Sequence, residues 1–397
     1  MKKFLLYTTI ISLFTESAYI NIGFDFKLFY VVIFINYIII LVNSKFSLAL
    51  HKYHFLILLL LLISGAISIF IQKNSLILFL EQFLGVAFVS TYYYHFFKFF
   101  SVDNIRFVFE KYVSMATFIC LIGIPIYIYD FSLISIEARF KSVLTEPAHF
   151  VAIILPALFY VGYCWNRSKF LVLFTSFLLS LSAVGYISAI FNLILTRVGN
   201  LRKSFLAFIF ILPLAIIFYF YSVNFKVRID DSSKVVLDKD LTGVNISTYS
   251  FFSNAFVALE SIQLNPLIGQ GFGAHILTRE KFLYNVNGIE GFSEFFALNQ
   301  KDGNSLFLRV SSDLGFIGLA LIIFFIIHNY VPGNTKNGLI SKSVLVYFCA
   351  KLLRDGHYFS PEMYFFVMIY YFNKLEYLKL KFGSKNFTKL INADVES

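Results

Sequence analysis

The sequence predicts an all-α fold: a polytopic integral membrane bundle of about twelve transmembrane helices with one large loop. Three observations carry that prediction. Of 397 residues, 58% are hydrophobic and 14% are charged, against roughly 25% charged in a soluble domain, so too few charges exist to coat a water-facing surface. The mean hydropathy is +0.76. The apolar residues also run together, as at 55–71, 76–88 and 205–221. A run of about 18 suffices to cross a hydrocarbon core of about 30 Å.

Taken in order, the predicted spans are 4–20, 28–42, 54–71, 76–97, 112–129, 148–165, 170–181, 183–196, 204–222, 305–328, 340–353 and 358–373. The first follows Met1-Lys2-Lys3 and imitates a secretory signal. No small-x-small cleavage site follows it, so a retained helix is expected. The stretch 170–196 reads either as one helix or as a hairpin of two short ones, and charge arbitrates. With a hairpin, Lys2, Lys3, Lys45, Lys52, Lys98, Arg106, Lys111, Arg167, Lys169, Arg197, Arg202, Lys203, Lys336, Lys342 and the basic tail fall on one side. The opposite short loops then hold only Lys27, Lys73, Arg139, Lys141 and Arg354. The positive-inside rule makes the first side cytoplasmic, with both termini there. One polytopic domain, 1–397, is expected, with 223–304 as the large outward loop between spans nine and ten.

Composition excludes several classes. The formal net charge of +10 is spread through short loops, which the same rule explains without nucleic acid. Cys120, Cys164 and Cys349 lie inside apolar runs and far apart, which argues for packing residues and against a disulfide framework or a metal site. Tyr92–Tyr94 and Tyr370–Tyr371 sit at span ends, as interfacial aromatic belts do. In the large loop, Phe252, Phe256, Leu259 and Ile262 are spaced for one helical face, and such a helix is expected to lie along the membrane interface or to cap the bundle.

Three local patterns carry the candidate chemistry. Arg139-Phe-Lys141-Ser-Val-Leu-Thr-Glu146-Pro147-Ala-His149 runs into span six. Pro at a helix start and Glu at its positive end have a structural explanation, and Arg139 can equally be a solvated loop charge. Asn265-Pro266-Leu-Ile-Gly269-Gln-Gly271-Phe-Gly273-Ala-His275, with Arg279 four residues on, has alternate glycines. No strand precedes them, so a nucleotide loop is disfavoured, and a backbone turning tightly at the membrane surface is the better reading. Asp302-Gly-Asn304-Ser305 leads into Arg309 and Asp313, four apart on one face of span ten. An ionisable residue within a span usually faces the protein interior at a functional site; pairing of Arg309 with Asp313 is the structural alternative. No catalytic-elbow, Walker or zinc-protease motif occurs. Outward arginines suit phosphate oxygens, so an anionic lipid-linked substrate is expected, with Glu or His as base toward a hydroxyl.

The three patterns, in that order and on that span plan, resemble the O-antigen polymerase/O-antigen ligase superfamily (Wzy-like and WaaL-like proteins). Arg139…Glu146-Pro147 is similar to the family's arginine and "EPS" segment, with Ala148 where Ser is common. Asn265-Pro266…Gly273 resembles the "P-x-x-G-x-G-x-G" of its large periplasmic loop. Asn304-Ser305, nine residues, Gly315 and Gly318 keep the spacing of the ligase motif, with Asn in place of its His, and this departure favours a polymerase over a ligase. The resemblance implies a metal-independent glycosyltransferase without cofactor in the bacterial inner membrane. It would join undecaprenyl-diphosphate-linked oligosaccharide repeat units on the periplasmic face. It implies Arg139, Lys141, Arg279 and Arg309 on the diphosphate, and Glu146, His149 or His275 as proton acceptor. A chain-length regulator is the protein partner it leaves open. Two alternatives remain at this point: an O-antigen ligase acting on lipid A-core, and a polysaccharide or lipid transporter.

Overall fold

The computed structural model describes residues 1–15, 17–21, 25–45, 50–100, 104–134, 138–197, 219–220 and 223–396. Among these the chain is helical apart from one antiparallel hairpin, β1 (Tyr19–Asn21) with β2 (Asp25–Lys27), in which Tyr19 pairs with Lys27. The helices are α1 (Lys2–Ser12), α2 (Leu28–Asn43), α3 (Lys52–Gln72), α4 (Leu76–Phe100), α5 (Ile105–Ile134), α6 (Pro147–Cys164), α7 (Arg167–Leu179) and α8 (Ala183–Arg197). They continue with α9 (Val223–Asp238), α10 (Ile246–Leu264), α11 (His275–Phe282), α12 (Leu306–Asn329), α13 (Lys336–Leu353) and α14 (Pro361–Glu396).

Among the described residues five helices are long and apolar enough to cross a membrane: α3, α4, α5, α6 and α12. The chain thus has the helices of a multi-pass membrane protein. The sequence suggested about twelve spans, and length accounts for part of the difference. At about 1.5 Å per residue, α1, α7 and α8 reach only about 17 to 23 Å, short of the core thickness. The span predicted over 204–222 lies almost wholly outside the described residues. Residues 167–197 form two helices rather than one straight crossing. The chain turns at 180–182, where Leu181 is left-handed (φ 48°), and Tyr186 Oη donates back to the Leu178 carbonyl at 2.9 Å.

Side-chain contacts sort the helix ends into two sets. At one end Ser17 meets the Val143 carbonyl (2.5 Å), Ser68 the Gln270 carbonyl (2.8 Å), Gln82 meets Arg309 (2.7 Å) and Glu146 meets Arg354 (3.3 Å). At the other, Lys2 lies over Phe99, Lys169 donates to Ser114, and Asn337 donates to Glu376. We call the first the site end.

The bundle core is aromatic. Phe97 and Tyr112 pack on Phe365 and Phe366, tying α4 and α5 to α14. Tyr92, Tyr93 and Tyr370 are 0% exposed, so these tyrosines pack the interior instead of forming the expected interfacial belt. Rings bury large areas in specific edge-to-face geometry, which gives the high Phe and Tyr content a structural use.

Residues 235–298 carry a small core of their own, with Tyr249 stacked on Phe292 at 4.3 Å amid Val235, Leu241, Leu283 and Ile289. Here α10 departs from expectation. Its buried face is small and polar (Ser250, Ser253, Asn254, Ser261), while Leu259 is exposed. Small residues let helices approach closely, and α10 packs on α12 in this way, with Ser261 Oγ donating to the Ser312 carbonyl at 2.8 Å.

Beyond α10 the alternate glycines form a strap into α12. That helix breaks at Gly315 (φ 58°, ψ −152°), freeing backbone groups that a membrane helix cannot leave unpaired. The strap supplies the partners: Gln270 N to Ser312 O and Gly271 N to Asp313 O (both 2.8 Å), and Phe316 N to Pro266 O (2.8 Å). Gly271 has φ 97°, and a Cβ there would lie 2.0 Å from Ser68 Cβ, so only glycine fits this close, left-handed passage.

Candidate functional site

The site end gathers the 138–149 segment, the start of α9, the start of α12 and the α13–α14 turn. Pro147 opens α6, placing Glu146 at its N-cap and His149 in its first turn. Glu146 Oε2 meets Arg354 Nη2 at 3.3 Å, and its side chain is 49% exposed. The other Arg354 nitrogen, Nη1, donates to Asn304 Oδ1. Asn304 also accepts from Asn299 (2.9 Å) and Ser250 (3.3 Å), and its main-chain carbonyl accepts from Asp355 N at 3.1 Å. Its φ of 64° is one that Asn tolerates better than most residues. Where the family pattern has His, this chain thus has a 2%-exposed amide that fixes a guanidinium.

Arg139 is half-buried. Its Nε and Nη2 donate to the carbonyls of Ser180 and Leu181 (3.2 and 3.1 Å), bracing the turn between α7 and α8. Burial first, then the charge of Arg228, lowers its pKa; burial and then Arg354 do the same to Arg228. Arginine keeps its proton in proteins, so these shifts mark mutual repulsion among three cations. Glu146 is the carboxylate that answers them.

Beside the arginines lies an ion-pair network. Lys351 contacts Asp355 Oδ2 and sits 3.7 Å from Glu362. His357 Nε2 is 3.9 Å from Asp302 Oδ2. Burial opposes ionisation of Asp355, but Lys351 and then His149 outweigh it and hold the carboxyl below its usual range. Burial also lowers the His357 pKa against the pull of Asp355 and Asp302. Asp302, Asp355 and His357 have ligand atoms within 4.8 Å of one another, a spacing able to take a cation, yet the Lys351 ammonium already balances Asp355. Gly356 is obligatory in this turn, since a Cβ would lie 1.7 Å from the Asp302 carbonyl.

The expected residues divide into two groups. Arg139, Glu146 and His149 are at this rim, with Lys141 half-buried on the same segment. Arg279, Arg309 and His275 are not at an open surface. Arg279 is 1% exposed, its guanidinium spent on the Phe296 carbonyl (3.3 and 3.2 Å), Ser253, Asn254 and Tyr249. Arg309 donates to the Gly356 carbonyl (2.9 Å) and Gln82 (2.7 Å), stacks over Tyr358 at 4.1 Å, and lies 3.7 Å from Asp313. Its structural alternative, pairing with Asp313, is therefore present. His275 is fully buried against Asn254 (3.1 Å); burial, then Arg309 and Arg279, pushes its pKa down to about 3. These three brace the junction of loop and bundle, and a diphosphate has no path to them in this conformation.

Sequence reasoning missed Arg228, whose neighbours Asp230 and Asp231 gave it the look of a solvated stretch, and took the Arg354 segment for a turn. Sidedness was the available signal, because Arg139 and Arg354 are two of the few basic residues in the outward short loops.

No protein-family model matches the chain, and no curated protein shows a significant match to it.

Proposed function

We propose that this chain is a membrane glycosyltransferase of the O-antigen polymerase kind. It joins undecaprenyl-diphosphate-linked repeat units at the site end, which faces the periplasm of a bacterial inner membrane. The observation that carries the reading is the convergence of Arg139, Arg228 and Arg354 around one exposed carboxylate, Glu146. A diphosphate has the charge and oxygen geometry that guanidinium forks recognise, and its release as leaving group needs that charge held in the transition state.

In the reaction the acceptor sugar's hydroxyl oxygen attacks the anomeric carbon of the donor glycan. The bond from that carbon to the diphosphate oxygen breaks, and the leaving group keeps the electron pair. Glu146 or His149, one turn apart on the first face of α6, accepts the hydroxyl proton. Arg354, fixed by Asn304, and Arg139, fixed by the 180–182 turn, are pre-set to receive the developing charge. Periplasmic sidedness is supported by Lys2, Lys169 and Lys336 at the opposite end, as the positive-inside rule asks. In this reading the chain crosses twelve times, 223–304 is the large periplasmic loop, and both termini are cytoplasmic.

The test is direct. Purified protein mixed with lipid-linked repeat unit is expected to give a ladder of longer glycans. Arg354→Ala and Arg139→Ala are expected to lose it while still folding; ladders unchanged in both refute the assignment.

A further inference from the structure

A second cationic site lies at the same end, built from elements that the arginine cluster does not use. A cleft of about 510 Å³ opens between the α3–α4 turn, the end of α10 and α11. That is within the usual range for ligand pockets, about 300–1,000 Å³. Lys73 and Lys281 line it with Asn74, Gln270 and Thr278, and among the described residues no carboxylate does. Gln270 is 8% exposed, and its Nε2 has no hydrogen-bond partner among the described residues. A buried donor left so is costly, and a ligand rich in acceptor oxygens relieves it.

The surroundings narrow the ligand further. Leu264 forms part of the wall and is 54% exposed, Leu267 beyond it is 62% exposed, and Phe70, one turn before Lys73, is 83% exposed. A free anion has no use for that apolar rim, whereas a lipid whose headgroup is a phosphate uses both parts.

We propose that this cleft holds the phosphate headgroup of a second lipid-linked substrate, a polyprenyl diphosphate, with its chain against Leu264, Leu267 and Phe70. The inference rests on the glycan-joining reading above. That reaction brings together two lipid-linked units, each with its own diphosphate, and the arginine cluster accommodates one of them. Lysine serves here as a point charge on a flexible stem, suited to a headgroup that is held but does not leave.

Native mass spectrometry of the full chain with undecaprenyl diphosphate tests the idea. Wild type is expected to carry two lipids. Lys73→Gln with Lys281→Gln should carry one, Arg139→Ala with Arg354→Ala should carry one, and all four together none. Should the double lysine variant misfold, Lys281→Gln alone is read as a weakening of about fivefold in lipid affinity. Two lipids retained at wild-type affinity in the lysine variants overturn the proposal. So does displacement of the second lipid by equimolar phosphatidylglycerol or inorganic diphosphate, which marks a site for any anion. A protein that binds two lipids yet makes no ladder sinks the polymerase reading and leaves this site standing.

Discussion

Two sets of arginines meet the same end of this bundle in opposite circumstances. Arg139, Arg228 and Arg354 stand partly exposed and repel one another, with Glu146 the carboxylate among them. Arg279 and Arg309 are almost wholly buried, and carbonyls, amides, a tyrosine hydroxyl and one aspartate occupy them. The contrast teaches that an arginine in a membrane protein is informative through what already binds it. A guanidinium whose donors are used is a brace, while repelling neighbours leave one available to a ligand.

The brace half of the comparison predicts the largest effect. Arg309→Ala leaves Asp313 buried with its cation gone and strips Gln82 and the Gly356 carbonyl of their donor. Breaking a buried pair costs about 3–5 kcal/mol, enough to unfold a marginal protein. Thermal unfolding in detergent should show collapse or a large drop in midpoint. An unaltered midpoint with lost activity would make Arg309 a ligand residue after all.

For the exposed set the pattern should invert. Arg354→Ala is expected to slow glycan transfer by about 10²-fold or more, the scale on which one charge-stabilising donor acts. Its stability loss should stay near 1 kcal/mol, as for partly exposed pairs. Comparing ladder rate with unfolding midpoint across both variants separates the two roles.

How far the sequence reveals this contrast depends on the range of the interactions. The membrane class, the apolar helices and the break inside 170–196 follow from local runs and loop charge. Arg139, Glu146 and His149 sit on one short segment, so their proximity is legible too. Arg279 is another matter: its partners Tyr249, Ser253 and Phe296 lie 17 to 30 positions away, and only folding of the loop core joins them. The glycines at 269, 271 and 273 announce a tight turn, but not that it fills the gap which Gly315 opens in α12. Arg228 was obscured by its acidic neighbours, which point elsewhere: Asp231 accepts from Asn245.

A pH series sharpens the buried half. His275 is held neutral, with a pKa of about 3 against about 6.5 unfolded. Below about pH 6.5 the unfolded chain binds a proton that the folded one refuses, so stability is complete above that pH and falls as the pH drops toward 3. The slope is about 1.4 kcal/mol per pH unit within the window. His275→Gln should flatten it, as read by hydrogen exchange of residues 246–282. A slope that persists in the variant would assign the titration to another group.

The smallest stability effect is expected at Glu146, and there the comparison becomes a question of chemistry. Its bond to Arg354 joins side chains that are 49% and 26% exposed, so Glu146→Gln should change stability by under about 1 kcal/mol. Glutamine keeps an oxygen for Arg354 but cannot take a proton. If Glu146 is the base, the ladder disappears while lipid binding is retained or tightens, because one negative charge has left a cationic cluster. If the ladder persists in Glu146→Gln and vanishes in His149→Gln, the imidazole one turn further along α6 takes the proton, and Glu146 only balances charge until the diphosphate arrives.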